Sequence, residues 1–255
     1  MKKIILCDGD SWTSGDIINP ILNTTDVNHK DNDEYRLPKV WPSKLGKLLN
    51  ISMLNISRAG SSNDGIVRRV MRKIPELLEQ YKSDEIFVII GWSSPERKDF
   101  YYKGVWESWE TLYPAQYNQI IPDKDLDTFY KIYLKRFWNE EEYLERYIQQ
   151  NLLLYYFLDS YNISHCFFDA FYEIKDGGIY SNIEIIDVLK DTLFSKEYLK
   201  VRKKVFKDES FRRFLMKNGS VFKDGVFGED LHQTEKGHEL WSEELYKFID
   251  KKVIL

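Results

Sequence analysis

A short apolar run that ends directly in a glycine turn constrains this chain more than any other feature. Residues 3–7 form a β-rich run, and they are followed at once by Asp8, Gly9, Asp10 and Ser11. A buried strand that leads straight into a glycine turn is typical of the first unit of an α/β domain. The sequence therefore predicts a helix after this turn and a sheet built from similar units.

The alternation of strands and helices continues along the chain. Further strands are predicted at residues 51–56, 85–90 and 165–170. The run 85–90 is apolar almost throughout, which suits a parallel strand covered on both faces. Helices are predicted at residues 41–49, 66–81, 140–159 and 234–252, with a basic helical stretch at 196–217. This order predicts a three-layer α/β/α sandwich around a mainly parallel sheet.

The length of 255 residues suits one α/β domain with a well-buried core. Two stretches, around 100–138 and 171–227, fit the alternation poorly, and we interpret them as insertions. The first of them is rich in Tyr, Trp and Phe. We expect a single domain over residues 1–255 that carries both insertions.

Charge and cysteine content argue against several classes of protein. A formal net charge of -4 provides no general basic face for nucleic acid or a membrane surface. Cys7 and Cys166 lie in separate apolar runs, so neither a disulfide framework nor a zinc site is predicted. The apolar part of the N-terminus is too short for a signal-peptide core. We expect a cytoplasmic protein without a metal, another cofactor, a nucleic-acid partner or a membrane partner.

Polar turns follow the predicted strands at the edge of the sheet where α/β proteins carry their function. The residues concerned are Ser11, Gly60, Asn63 and Ser93 after the first three strands, and Glu229, Asp230 and His232 before the last helix. A serine hydroxyl becomes a strong nucleophile when a histidine accepts its proton and a carboxylate orients that histidine. Backbone amides at Ser11 and Gly60 would stabilise the oxyanion that forms. The pattern predicts a serine hydrolase with Ser11 as nucleophile and His232 as base.

Three short stretches resemble the sequence blocks of the SGNH hydrolases, also called the GDSL esterase/lipase superfamily. Residues 9–15 (GDSWTSG) are similar to the first block, which supplies the nucleophile, here Ser11. Gly60 lies in a stretch similar to the second block, whose glycine amide belongs to the oxyanion hole. The segment around His232 resembles the last block, whose histidine is the base. The resemblance implies a flavodoxin-like fold and cleavage of a small-molecule or carbohydrate ester, such as an O-acetyl sugar, through an acyl-enzyme.

The chain departs from these blocks at two places. The third block of the family carries an asparagine that donates to the oxyanion, whereas this chain has Ser93 there. The Ser93 hydroxyl or the Asn63 amide could take that role. The family spaces an aspartate three residues before the histidine, where this chain has Glu229, while Asp230 lies two residues before His232. Either carboxylate could orient the histidine, and Asp230 is favoured because the shorter side chain is the more frequent choice.

Alternative interpretations of these residues stay open. A non-catalytic binding or structural protein could keep the fold while lacking the usual asparagine. A phosphate site at residues 9–15 is disfavoured because no lysine follows at P-loop spacing. Acyl transfer to an acceptor other than water would use the same residues. Residues 91–97 also resemble superfamily members of tailed bacteriophages, which would place the protein in a host-cell cytoplasm. Trp12 and Trp92 are the candidates for lining a substrate pocket.

Overall fold

A parallel sheet forms the centre of the protein. The computed structural model describes residues 3–15, 17, 19–22, 29–110, 123–171, 193–218 and 232–252. Among these residues the strands are β1 (Ile4–Asp8), β2 (Ser52–Asn55), β3 (Ile86–Trp92), β4 (Arg97–Tyr102), β5 (Val105–Glu110) and β6 (Ser164–Asp169). Four of them form the parallel sheet in the order β2-β1-β3-β6. The strand that precedes Ser11 therefore lies inside the sheet.

Helices cover both faces of this sheet. Within the described residues they are α1 (Ser11–Ser14), α2 (Asp33–Arg36), α3 (Trp41–Leu49), α4 (Asn63–Leu78), α5 (Lys124–Arg136), α6 (Glu140–Ser160), α7 (Leu193–Val205), α8 (Phe211–Lys217) and α9 (Glu235–Lys252). No helix of the described residues is both long and apolar enough to cross a membrane.

Alternate side chains of the strands build two separate cores, as a period of two requires. Ile4 and Leu6 of β1 pack on one face with apolar residues of α4, α6 and α7. Ile5 and Cys7 pack on the opposite face with residues of α3, α8 and α9. All seven residues of β3 are buried, as a strand covered on both faces should be. The predicted three-layer α/β/α sandwich is confirmed.

The first predicted insertion contains an antiparallel hairpin and a helix. Strands β4 and β5 form the hairpin, and α5 follows it. Phe100 of β4 packs edge-to-face on Tyr133 of α5, with ring centroids 5.3 Å apart. Asp99 attaches the hairpin to α4, because its carboxylate accepts hydrogen bonds from Ser62 and Arg68. The insertion is therefore anchored beside the start of α4.

Two helix predictions need correction. The helix predicted at 66–81 begins earlier, at Asn63, because the Ser62 hydroxyl accepts a hydrogen bond from the Gly65 amide and caps the helix there. The basic stretch 196–217 forms two helices rather than one. They are separated where Phe206 makes a parallel bridge to Phe167 of β6. Tertiary pairing thus interrupts a segment whose local pattern is helical.

Candidate active site

The turn after β1 is tight enough to require glycine. A Cβ atom at Gly9 would lie 2.8 Å from the carbonyl oxygen of Gly91, inside van der Waals distance. Asp10 then caps the single turn of α1, because its Oδ1 atom accepts a hydrogen bond of 2.9 Å from the Trp12 amide. Ser11 is thereby fixed at the carboxyl end of an interior strand.

The Ser11 hydroxyl has no hydrogen-bond partner within the described residues, although Ser11 is only 4% exposed. The hydroxyls of Thr13 and Ser14, on the same turn, are fully buried and also unpartnered. Ser11 keeps 4% of its surface exposed. An unengaged hydroxyl can attack a substrate once a base removes its proton.

A buried ion pair with Arg97 also holds Asp10, through its second carboxylate oxygen. Its Oδ2 atom accepts hydrogen bonds of 3.0 Å from Arg97 Nη1 and 2.8 Å from Ser93 Oγ. Burial raises the pKa of Asp10. Four groups lower this pKa in turn, and they are, from the largest effect to the smallest, the charge of Arg97, the Trp12 amide, the Ser93 hydroxyl and the charge of His232. The single proton of the Ser93 hydroxyl points to Asp10, so Ser93 would have to exchange this partner to donate to an oxyanion.

Asn63, the first residue of α4, is engaged with the loop after β3. Its Nδ2 atom donates to the Ser93 carbonyl oxygen over 3.0 Å, and its Oδ1 atom accepts from the Ser93 amide over 2.8 Å. A longer contact of 3.5 Å joins Nδ2 to the Ser94 carbonyl oxygen. The structure thus brings Asn63 and Ser93 together, and Asn63 connects α4 to this loop. Donation by either side chain to an oxyanion stays a prediction.

Gly60 lies at the exposed end of the turn between β2 and α4. The Ser61 amide donates to the Arg58 carbonyl oxygen over 3.2 Å, which closes a β-turn in which Gly60 has φ 75°. The Arg58 amide donates to the Gly9 carbonyl oxygen over 3.3 Å, so this turn lies beside the turn that carries Ser11. No atom of the described residues lies within 4 Å of a Cβ built on Gly60. The space next to Gly60 is therefore open as far as the described part of the chain is concerned.

The segment that carries His232 is attached to the same turn from the far end of the chain. Gln233 Nε2 donates a hydrogen bond of 2.9 Å to the carbonyl oxygen of Trp12, the residue after Ser11. The charge of His232 also acts on Asp10, where it lowers a pKa that burial raises. The structure therefore brings His232 to the sheet edge that carries Ser11.

Glu229 and Asp230 lie outside the described residues, so the choice between them stays a prediction. Within the described residues the Ser11 hydroxyl does not hydrogen-bond His232; such catalytic bonds often tighten only when substrate is bound. No group of three or more His, Cys, Asp or Glu side chains in this part of the chain is arranged to hold a metal ion.

Trp12 and Trp92 do not line a pocket, contrary to the sequence-based expectation. Each is 1% exposed. Trp12 packs in the core beneath α3 and α9, whereas Trp92 packs in the core on the opposite face of the sheet. Trp12 lies on α1 and Trp92 ends β3, and each side chain enters one of the two cores although both residues are close to the turns in sequence.

Two arginines that organise the site escaped the sequence analysis. Arg97 pairs with Asp10, and Arg69 of α4 pairs with Asp8. The signal in the sequence is the pair of aspartates that flanks Gly9 at the end of a buried strand. Buried carboxylates need cationic or hydrogen-bonding partners. Which arginines supply them depends on elements far along the chain.

A family model described as "Family of unknown function (DUF6071)" matches residues 24–254. The chain belongs to this family. A search of curated proteins found no match.

Solved structures are similar to this DUF6071 protein. A member of the lipolytic protein G-D-S-L family from Veillonella parvula superposes with a TM-score of 0.50 and 10% identity, over 98% of this chain and 99% of that chain. The psychrotrophic esterase EstA from Pseudoalteromonas sp. has a TM-score of 0.49 and 13% identity, over 98% of each chain. The Veillonella parvula structure confirms that this DUF6071 protein has the α/β/α fold of the SGNH hydrolases. At such identities the likeness concerns the fold alone.

Proposed function

We propose that this protein is a serine hydrolase that cleaves an ester or acyl bond through an acyl-enzyme. Ser11 is the nucleophile, His232 is the general base, and Asp230 or Glu229 orients the histidine. One observation carries the proposal. The Ser11 hydroxyl, which has no hydrogen-bond partner within the described residues, lies on a rigid glycine turn, and Gln233 attaches the His232 segment to that turn.

The proposed reaction has two halves. The His232 imidazole accepts the Ser11 proton while the serine oxygen attacks the carbonyl carbon of the substrate. The amides of Ser11 and Gly60 donate to the oxyanion. The intermediate collapses, its bond to the alcohol breaks, and His232 returns the proton to the leaving oxygen. Water, deprotonated by the same histidine, then attacks the acyl-enzyme, which releases the acid and restores Ser11.

The contribution of α1 to this step comes from the Ser11 amide itself. The helix has only four residues, and the dipole of an α-helix builds up over several aligned peptide groups. Gly60 likewise lies in a β-turn before α4 rather than on the helix. The proposed oxyanion hole therefore relies on individual amides fixed by their turns.

The third oxyanion donor is the side chain of Ser93 or Asn63. Ser93→Ala removes the hydroxyl and keeps the backbone groups that contact Asn63, so the two candidates can be tested separately. Loss of one true donor lowers kcat by about 10²–10³. A variant with that loss identifies the donor, and a much smaller loss in both Ser93→Ala and Asn63→Ala leaves the backbone amides as the oxyanion hole.

The substrate class proposed is an O-acetylated carbohydrate or another small ester. Ser11 is almost completely buried, whereas Gly60 is exposed with open space beside it. A short acyl group would fit next to Ser11, and the alcohol part would extend past Gly60 towards solvent. A panel of acetyl sugars and p-nitrophenyl esters of increasing chain length tests this, and faster turnover of long acyl chains would contradict it.

Labelling by a fluorophosphonate probe and hydrolysis of p-nitrophenyl acetate test the reaction. The wild type should be labelled at Ser11, and Ser11→Ala should lose both labelling and turnover. Ser14→Ala is the matched control, since it removes a buried hydroxyl from the same helical turn. Absence of any Ser11-dependent labelling or turnover in the wild type would favour the alternative, a non-catalytic binding protein of this fold. The engaged side chains of Ser93 and Asn63 support that alternative.

A further inference from the structure

Asp8 is a fully buried carboxylate at the end of an otherwise apolar strand. A charge at such a position is costly unless it is paired and hydrogen-bonded. Its Oδ1 atom accepts a hydrogen bond of 2.7 Å from the Gly9 amide and one of 2.6 Å from Arg69 Nη2. Its Oδ2 atom accepts from Arg69 Nε over 3.1 Å. Both oxygens of the carboxylate therefore accept hydrogen bonds from the same guanidinium.

The same guanidinium reaches both turns of the candidate site. Arg69 Nη2 also donates to the Gly9 carbonyl oxygen over 3.2 Å, two residues before Ser11. Arg69 Nη1 donates to Ser61 Oγ over 2.6 Å, one residue after Gly60. Because a guanidinium is planar and rigid, its donors fix their partners at set distances from one another.

We propose that Arg69 is a positioning residue of the hydrolase, which sets the distance between the nucleophile turn at Ser11 and the oxyanion turn at Gly60. The proposal rests on the function proposed above for these two residues. Arg69 acts through Asp8, Gly9 and Ser61, and it is not a catalytic residue.

Arg97 does not duplicate this connection. Within the described residues its Nη1 atom donates to Asp10 Oδ2 and to Ser93 Oγ in the loop after β3, and these bonds hold the nucleophile turn to that loop. The turn around Gly60 is reached instead by Arg69 from α4 and by the long 3.3 Å bond between the Arg58 amide and the Gly9 carbonyl oxygen. Asn55 also links the two segments, from the Thr13 carbonyl oxygen to the Ser57 amide, whereas Arg69 contacts Ser61, the direct neighbour of Gly60.

The test compares Arg69→Lys with Arg69→Ala. Lysine keeps the positive charge next to Asp8, but it is a point charge that cannot contact both turns in a fixed geometry. Both variants should lose about 10²-fold in kcat and in the rate of fluorophosphonate labelling, with KM nearly unchanged, since small displacements of reacting groups have effects of this size. Arg72→Ala, an exposed arginine on the same helix, is the control and should match the wild type.

Two outcomes separate positioning from a merely structural role. Arg69→Lys should be more stable to urea than Arg69→Ala and still be as slow, because charge balance is restored while geometry is not. Amide hydrogen exchange in residues 9–15 and 58–62 should be faster in Arg69→Lys than in Arg72→Ala. An Arg69→Lys variant with the wild-type labelling rate would show that only charge balance matters, and this would overturn the proposal.

Failure of the proposed function would be recognised separately. If the wild type is not labelled at Ser11, the hydrolase proposal fails, and amide exchange alone decides whether Arg69 positions the two turns. Unchanged exchange in both segments of Arg69→Lys would then overturn the positioning role. If the wild type is labelled and Arg69→Lys is equally fast, the hydrolase stands and the role of Arg69 does not.

Discussion

The side chain of Gln233 donates a hydrogen bond of 2.9 Å to the backbone carbonyl oxygen of Trp12, across a sequence separation of 221 residues. The Gln233 side chain is buried, and the bond attaches the segment before α9 to the turn that carries Ser11. His232 directly precedes Gln233. This buried hydrogen bond thus attaches the segment of the proposed base to the turn of the proposed nucleophile.

Gln233→Ala should lower both stability and activity. The Trp12 carbonyl oxygen would be left buried without this donor, which should reduce the free energy of unfolding by about 1–3 kcal/mol. Labelling of Ser11 should slow because the His232 segment loses its attachment. Urea unfolding and fluorophosphonate kinetics measure the two effects, with the exposed Gln80→Ala as control. A destabilised variant that is labelled at the wild-type rate would contradict the role in placing His232.

His232→Gln should abolish most turnover while the fold persists. Loss of a general base commonly costs about 10²–10⁴ in rate, and His232 is only partly buried, so little packing is lost. Hydrolysis of p-nitrophenyl acetate and circular dichroism measure activity and folding. His29→Gln replaces another partly exposed histidine, one that contacts Asp31, and should leave activity unchanged. Equal rates in both variants would remove His232 from the mechanism.

Asp8 should make the protein less stable as the pH rises through about 6. Burial raises the pKa of Asp8 from 3.8 to about 6, and this is opposed first by Arg69 and then by the Gly9 amide and Arg58. Cys7 is the neighbouring titratable group. The folded state therefore binds a proton that the unfolded state has released between these pH values. The proton's contribution to the free energy of unfolding is complete below pH 3.8 and is lost above about pH 6. The pKa shift corresponds to a contribution of about 3 kcal/mol.

Asp8→Asn tests this dependence, because asparagine has a similar shape and does not titrate. The difference in unfolding free energy between pH 4.5 and pH 7 should be smaller in the variant than in the wild type by about 2 kcal/mol. Urea unfolding at both pH values gives the four free energies required. An identical pH dependence in the two proteins would show that Asp8 keeps its charge throughout this range.

Gly60→Ala should destabilise the protein through backbone strain, although its Cβ would meet no described atom. A non-glycine residue at a positive φ costs about 1–3 kcal/mol. Gly104, in the β4–β5 turn, has φ 87° and equally open surroundings, so Gly104→Ala should lose similar stability. Only Gly60→Ala should also slow Ser11 labelling. Equal labelling rates in the two variants would argue against Gly60 as an oxyanion donor.

Local signals in the sequence predicted much of the fold. The helix at Trp41–Leu49 agrees with its prediction at both ends, and Pro42 lies in its first turn. The prediction of one helix over the basic stretch 196–217 was wrong, because Phe206 pairs with Phe167 of a distant strand. Helical periodicity is a local property and contains no information about such a contact.

The candidate site likewise has one part that the sequence predicted and another that depends on distant contacts. The sequence alone determined that Ser11 ends a strand-to-turn unit and that His232 precedes the last helix, because strands, glycine turns and helix starts depend on neighbouring residues. The partners of the buried charges were decided only by the tertiary structure. The order β2-β1-β3-β6 brings Arg69 to Asp8 over 61 residues and Ser93 to Asp10 over 83. A buried carboxylate requires a partner, but only the packing of distant elements selects which one.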